Sequence, residues 1–374
     1  MSRLFTPIQL GGITLPNRIV IAPMCQYSAA DGAMTDWHMI HLGSLAVSGA
    51  GLAMVEATGV TREGRISHFC TGLYTDENEA AMQRAVLAYR RITKSPIGVQ
   101  IAHAGRKAST LPPWGGGKPL AADQSPWQTV APSALAFGEG WHVPHELSVA
   151  EIRGLVDAFV AATERARRIG FDVAEIHASH GYLLHQFLSP VSNTRTDQYG
   201  GSLENRMRFP LEVARALREV WPKERCLGAR ITGSDWLDEG AKIEDCIAFA
   251  KALKALDYDY VCVTSGGLSP AARMQIGPNY QVPFAAAVKK AVPIAVRAVG
   301  LIADPDQAEA ILARGEADMV ALARGILDNP RWVWHAAERF GVKIDYPPQY
   351  ARVHPDLWPG AKLARPPLEA QAAE

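Results

Sequence analysis

The chain is short of the features that mark a protein for charged or membrane partners. Its 38 basic and 38 acidic residues cancel to a formal charge of zero, and no block of like charge appears. That excludes the electrostatic footprint of a nucleic-acid or anionic-membrane binder. Cysteine is scarce: Cys25, Cys70, Cys226, Cys246 and Cys262 are scattered and odd in number. They form neither a disulfide framework nor a C-x-x-C metal pair. No apolar run reaches the roughly 18 residues that a membrane-spanning helix needs. The segment Met1–Pro7 lacks the apolar core of a signal peptide. These absences together lead to the expectation of a reduced, cytoplasmic protein.

What is present is a rhythm. Short, β-branched apolar runs recur: Ile19–Ala22, Leu52–Glu56, Ile97–Ile101, Val173–Ile176, Cys226–Ile231, Tyr260–Thr264, Ile294–Val299 and Met319–Leu322. Most are nearly continuous in apolarity rather than alternating, as strands covered on both faces should be. Helical spacing lies between them. In Val149–Ile169, residues Ile152, Leu155, Val156, Phe159, Ala162 and Ala166 fall on one stripe. Ser148, and Ser202 before Leu203–Leu217, suit helix N-caps, and neither is read as part of a full capping box.

Eight strands alternating with helices predict an α/β fold, a (β/α)8 TIM barrel. A doubly wound open sheet is the competing arrangement. It would want a G-x-G-x-x-G turn after the first strand, and Pro23-Met24-Cys25 stands there instead. Ile8–Leu15, turning at Gly11-Gly12, reads as a hairpin that plugs the barrel bottom. One barrel domain is expected over 1–358, within the size range of that fold. A long loop, 105–147, follows the third strand, and the Ala- and Pro-rich tail 359–374 is expected to be disordered. The extended loops follow strands and therefore lie on the C-terminal face, where such barrels keep their sites.

The strand ends carry amides, imidazoles, a phenol, a thiol and guanidiniums, with few carboxylates. Such a set suits a planar, polar-edged cofactor with an anionic tail. His177, His180 and Tyr182 close the fourth strand and bring three proton donors into one small volume. Two imidazole N–H groups can hold an oxygen that gains negative charge, and a phenol can supply a proton nearby.

The ordered motifs Leu15-Pro16-Asn17-Arg18, Ala22–Tyr27, Gln100–Lys107, Glu175–Leu183 and Asn193–Ser202 resemble those of the Old Yellow Enzymes. These are FMN-dependent ene-reductases, and the resemblance, over about Leu4 to Arg352, is to the thermophilic-like (xenobiotic reductase) subclass. It implies an FMN site lined by Ala22, Pro23, Met24, Cys25 and Ala57. Gln100 would meet the pyrimidine edge and Arg230 the N1/C2 carbonyl region, with Ser265 among the cofactor contacts. The phosphate would sit at Gly300, Ala323 and Arg324, with Ala323 a departure from the family's usual glycine. NADPH or NADH would supply hydride. His177 and His180 would hold the oxygen of an α,β-unsaturated carbonyl compound, Tyr182 would protonate its α-carbon, and Tyr27 would contact it. Tyr350-Ala351-Arg352 resembles a tail motif in which arginine enters a neighbouring subunit's site, which implies a homodimer or homotetramer.

Other readings of the same residues make different demands. A metal-dependent hydrolase with His177 and His180 as ligands would need more ligands, and Ile19–Cys25 has no histidine. A Schiff-base aldolase would need a lysine in Tyr260–Ser265, where there is none. An iron–sulfur relative would need a cysteine cluster after the barrel, and no cysteine follows Cys262. A catalytically silent flavin-binding scaffold is disfavoured by the presence of His177, His180 and Tyr182 together. The physiological substrate and the choice between NADPH and NADH are not written in any motif.

Overall fold

The computed structural model describes residues 2–364. A hairpin of β1 (Ile8–Leu10) and β2 (Ile13–Leu15) comes first, paired Leu10 to Ile13 across Gly11-Gly12. Eight parallel strands then close into a barrel: β3 (Ile19–Ile21), β4 (Leu52–Gly59), β5 (Ile97–Ala102), β8 (Val173–Ala178), β9 (Cys226–Thr232), β10 (Tyr260–Thr264), β11 (Ala295–Ala298) and β12 (Met319–Leu322). The last pairs with the first, Leu322 beside Ile21. Between β5 and β8 the long loop contains only the two-residue strands β6 (Val130–Ala131) and β7 (His145–Glu146) and three short 3₁₀ turns.

Helices α1 (Asp36–Ala46), α2 (Asp76–Ile92), α3 (Val149–Ile169), α4 (Leu183–Leu188), α5 (Leu203–Val220), α6 (Ile243–Ala255), α7 (Val282–Ala291) and α8 (Pro305–Ala313) connect the strands. After β12 come α9 (Arg324–Asp328), α10 (Trp332–Arg339) and α11 (Ala361–Ala364). A helical turn therefore occupies part of the tail expected to be disordered; 365–374 lie outside the described residues.

The strands are apolar on both faces because both are buried. Outward residues such as Ile21, Val99, Ile176, Val263 and Leu322 pack with Phe159, Leu217, Phe249 and Ile311 of the helices. Inward residues Val20, Leu52, Met54, Val173, Tyr260, Cys262 and Met319 form a second cluster, joined by Leu10 and Leu15 of the hairpin. Burying one such side chain is worth about 1.5–3 kcal/mol. The hairpin closes the N-terminal end, where Gly12 lies so close to the Glu224 backbone that a Cβ would sit 2.3 Å from its carbonyl oxygen.

Helix α3 starts more firmly than the sequence suggested. Ser148 accepts from the Glu151 N–H, and the Glu151 carboxylate accepts from the Ser148 N–H at 2.7 Å, a complete capping box. The S-x-x-E spacing was the signal. At Ser202 only the forward half forms.

Candidate active site

The catalytic candidates share the C-terminal end of β8. His177 is the penultimate residue of that strand rather than the first beyond it, and its side chain is buried. A tight turn follows, with His180 at φ 57° and Gly181 at φ 73°, and Tyr182 N–H returns to Ser179 O at 3.1 Å. Position 181 needs glycine: a Cβ there would meet the Gly267 carbonyl oxygen at 2.2 Å. The turn folds Tyr182 back over the strand end. Its ring centroid lies 4.9 Å from that of His177, and the His180 ring lies 5.2 Å from His177, all roughly edge to face.

Burial sets the protonation of this trio. It holds the His177 and His180 imidazoles well below their ordinary range, reinforced by the Arg230 charge. Each is therefore neutral at pH 7 and offers one N–H. Burial likewise pushes the Tyr182 phenol well above its ordinary value, so it stays protonated. Ser179 Oγ meets His177 Nδ1 at 3.2 Å, which leaves Nε2 of that ring for a ligand. His180 is differently engaged: its Nε2 lies 3.0 Å from Thr264 Oγ1, whose own proton goes to Gln281 Oε1 at 2.7 Å. His180 thus donates to Thr264 here, and gripping a ligand oxygen requires exchanging that bond.

Beside the trio is a cavity of about 250 Å³. Arg230, Gly300, Ala323 and Arg324 line it, together with His180 and Thr264. The structure adds Tyr280 and Gln281, which no motif singled out. Ser265 is committed elsewhere, its N–H and hydroxyl both donating to Gln281 Oε1 at 2.6 and 3.0 Å. Ala323 has φ −113°, outside the left-handed region that would demand glycine.

Gln100 reaches inward from β5, and its Nε2 donates to Glu175 Oε1 at 2.8 Å. The other Glu175 oxygen takes the Tyr260 hydroxyl at 2.7 Å and a short ion pair from Arg297. This buried group orients the Gln100 amide. Ala22 N–H is tied to Leu322 O at 2.9 Å, at the seam that closes the barrel. Pro23, Met24 and Cys25 follow it, and burial pushes the Cys25 thiol well up. Their chain is pinned where Gln26 N–H donates to buried Glu56 at 3.0 Å, beside His38. Ala57 is the next residue of β4 and lines a smaller cavity with Tyr182.

Tyr27, at φ 48°, packs its ring 5.8 Å from Trp114 of the long loop. Lys107, at the start of that loop, ties the turn to the sixth strand's exit, donating to His180 O at 2.8 Å and Gly267 O at 2.7 Å. Arg352 stands apart from these residues, exposed on a 3₁₀ turn at Pro348–Val353. No three His, Cys, Asp or Glu side chains among the described residues cluster as metal ligands.

A planar cofactor with an anionic tail fits this lining. Arg230 Nε is buried without a hydrogen-bond partner, and Arg230 and Arg324 both line the cavity. An uncompensated buried donor of that kind calls for an acceptor.

Residues 3–341 match the model of the NADH:flavin oxidoreductase / NADH oxidase family. An NADPH dehydrogenase of Geobacillus thermodenitrificans is 43% identical over 93% of this chain and 98% of that one. Among solved structures, morphinone reductase in complex with tetrahydroNAD is similar with TM-score 0.74 and 31% identity, covering 93% and 94% of the two chains. A 2-naphthoyl-CoA reductase complex superposes with TM-score 0.82 at 25% identity over 90% of this chain. The chain spans 52% of that longer protein.

Proposed function

Because the chain belongs to the NADH:flavin oxidoreductase / NADH oxidase family, the Old Yellow Enzymes, and is an FMN-dependent NAD(P)H oxidoreductase, we propose that it reduces the C=C bond of α,β-unsaturated carbonyl compounds. One observation carries this reading. Two neutral imidazoles and a protonated phenol converge within about 5 Å, beside a cavity lined by Arg230, whose buried Nε has no acceptor. FMN, when bound, would supply the hydride chemistry between nicotinamide and substrate.

The residues that would hold FMN are Ala22, Pro23, Met24, Cys25, Ala57, Gln100, Arg230, Ser265, Gly300, Ala323 and Arg324. Ser265 acts through Gln281. Gln100 presents an amide whose orientation Glu175 fixes, and Arg230 places a fixed cation where reduction adds negative charge.

His177 Nε2–H and the His180 N–H released from Thr264 bind the carbonyl oxygen of the substrate. As the β-carbon gains hydride, charge gathers on that oxygen, and both donors strengthen their hold on the enolate. Tyr182 gives its proton to the α-carbon and is reprotonated from solvent. Its raised pKa makes it a reluctant acid, but the enolate carbon is a strong base. Tyr27 would contact the substrate. The chain assembles as a homodimer or homotetramer in which the exposed Arg352 enters a neighbouring subunit's site. Supplying purified enzyme with NADPH and 2-cyclohexenone tests the reading: cyclohexanone is the expected product, and its absence from an FMN-loaded enzyme overturns the proposal.

A further inference from the structure

A second histidine–carboxylate group lies directly behind the catalytic turn. Gly181 N–H donates to His185 Nδ1 at 2.8 Å, and His185 Nε2 lies 2.7 Å from Asp235 Oδ1. Both side chains are essentially inaccessible, at 1% and 0% exposure. The other carboxylate oxygen, Oδ2, accepts from Ser189 Oγ at 2.6 Å and from the Ala241 N–H at 2.7 Å. Thr232 Oγ1 is 3.4 Å from His185 Nδ1, on the same side as Gly181. Burial works against the Asp235 charge, yet His185, Ser189 and Ala241 together hold its carboxyl below the usual carboxylate range.

These bonds leave His185 one protonation state. Nδ1 must be bare, because a backbone N–H cannot give up its proton. Nε2 must then carry the hydrogen, which it donates to the carboxylate. We infer that His185 and Asp235 are positioning residues that fix the catalytic turn through the tautomer of His185, and so aim His180 and Tyr182. The assignment rests on the reading above of His180 and Tyr182 as substrate-facing. Gly181 sits between those two residues and is the only point where the turn's N–H groups meet a side chain of this pair. Its carbonyl is held by Gln186 Nε2 at 2.7 Å and the preceding carbonyl by Lys107. The Gly181 and Tyr182 N–H groups and the His180 and Gly181 carbonyls therefore all have fixed partners. Of these partners, only His185 is a ring whose donor and acceptor can exchange places.

Asp235→Asn probes this with little change of shape. Oδ2 faces two donors, so the amide oxygen must take that place and the amide nitrogen must face His185 Nε2. The imidazole then has to accept at Nε2 and carry its proton on Nδ1, aimed at the Gly181 N–H. Two donors would confront each other, and the turn must move. In a triad histidine the same carboxylate-to-amide change leaves geometry intact but reverses the tautomer, with a large loss of rate.

The test combines three readouts on the FMN-loaded protein. For D235N, FMN stoichiometry is expected to stay at the wild-type value. Affinity for 4-hydroxybenzaldehyde, a flat phenol whose oxyanion mimics an enolate, and kcat for 2-cyclohexenone should each fall by about 10- to 100-fold. Unchanged phenol affinity and kcat in D235N overturn the inference. Should D235N fail to fold, the wild-type protein decides: ¹⁵N-histidine spectra, with the His185 signals identified by their loss in H185Q, should show the proton on Nε2. A proton on Nδ1, or on both nitrogens, overturns it. If the wild-type protein reduces no enone at all, the proposed function fails, while phenol binding and the tautomer still report on His185 and Asp235.

Discussion

Gln100 donates its amide hydrogen to Glu175 at 2.8 Å in the middle of the barrel, with both side chains fully buried. The carboxylate that orients this amide is itself neutralised by Arg297, which lies over the Tyr260 ring at 4.9 Å. The amide proposed to meet the cofactor is thus oriented by a carboxylate level with it on the neighbouring strand β8, whose counter-charge comes from β11 across the barrel.

Arg297→Met removes the counter-charge and leaves Glu175 buried and unpaired. Breaking a buried pair from one side costs about 3–5 kcal/mol. Urea unfolding should show a loss of that size, and FMN titration of the apoprotein should show weaker binding as the Gln100 amide loses its fixed orientation. A variant as stable and as tight for FMN as wild type would remove Arg297 from the account.

His177→Ala deletes the member of the His177–His180 pair whose Nε2 is uncommitted. Enone turnover should drop by about 100-fold, the usual cost of one donor to a developing oxyanion. Phenol binding should weaken in parallel while FMN remains bound, measured by absorbance titration of the loaded protein.

Tyr182→Phe leaves the packing against His177 and removes the proton. Enone reduction should fall by about 100-fold or more, the range for a positioned general acid. Stopped-flow measurement of the two half-reactions should place this loss in the enone step much more than in flavin reduction by NADPH. An equal loss in both steps would point to a binding role for the phenol.

His103 ties stability to pH. Burial lowers its pKa from 6.5 to about 4, and its Nδ1 accepts the Gly105 N–H at 3.0 Å, so the folded protein needs it neutral. Between those values the unfolded chain binds more protons, so the stabilisation is complete above pH 6.5 and drains away as pH falls toward 4. His41, also lowered to about 4 by burial, adds to the same slope. Unfolding free energies across that window should therefore decline, and His103→Asn should flatten the decline, leaving the His41 share.

The barrel strands could be read nearly to the residue because strands buried on both faces leave continuous apolar runs. His177, His180 and Tyr182 were equally legible, lying within six residues of one another. What escaped notice was built from distant segments. His185 and Asp235 are 50 positions apart, and Glu175 and Arg297 are 122 apart. Neither periodicity nor local spacing links such pairs; only closure of the barrel does. Gln281, which meets both Thr264 and Ser265, sits at the start of α7 in a segment with no motif. The commitment of His180 to Thr264 is likewise a property of β10 meeting the β8 turn. The capping box at Ser148 is the exception, since its spacing was visible and simply under-read.

An anaerobic spectrum decides whether His177, His180 and Tyr182 make this flavin site an ene-reductase. The purified protein should show an oxidised flavin band that NADPH bleaches. Addition of 2-cyclohexenone should then restore the band without oxygen. A flavin that NADPH reduces and the enone never reoxidises, or a protein without a flavin band, would contradict the account.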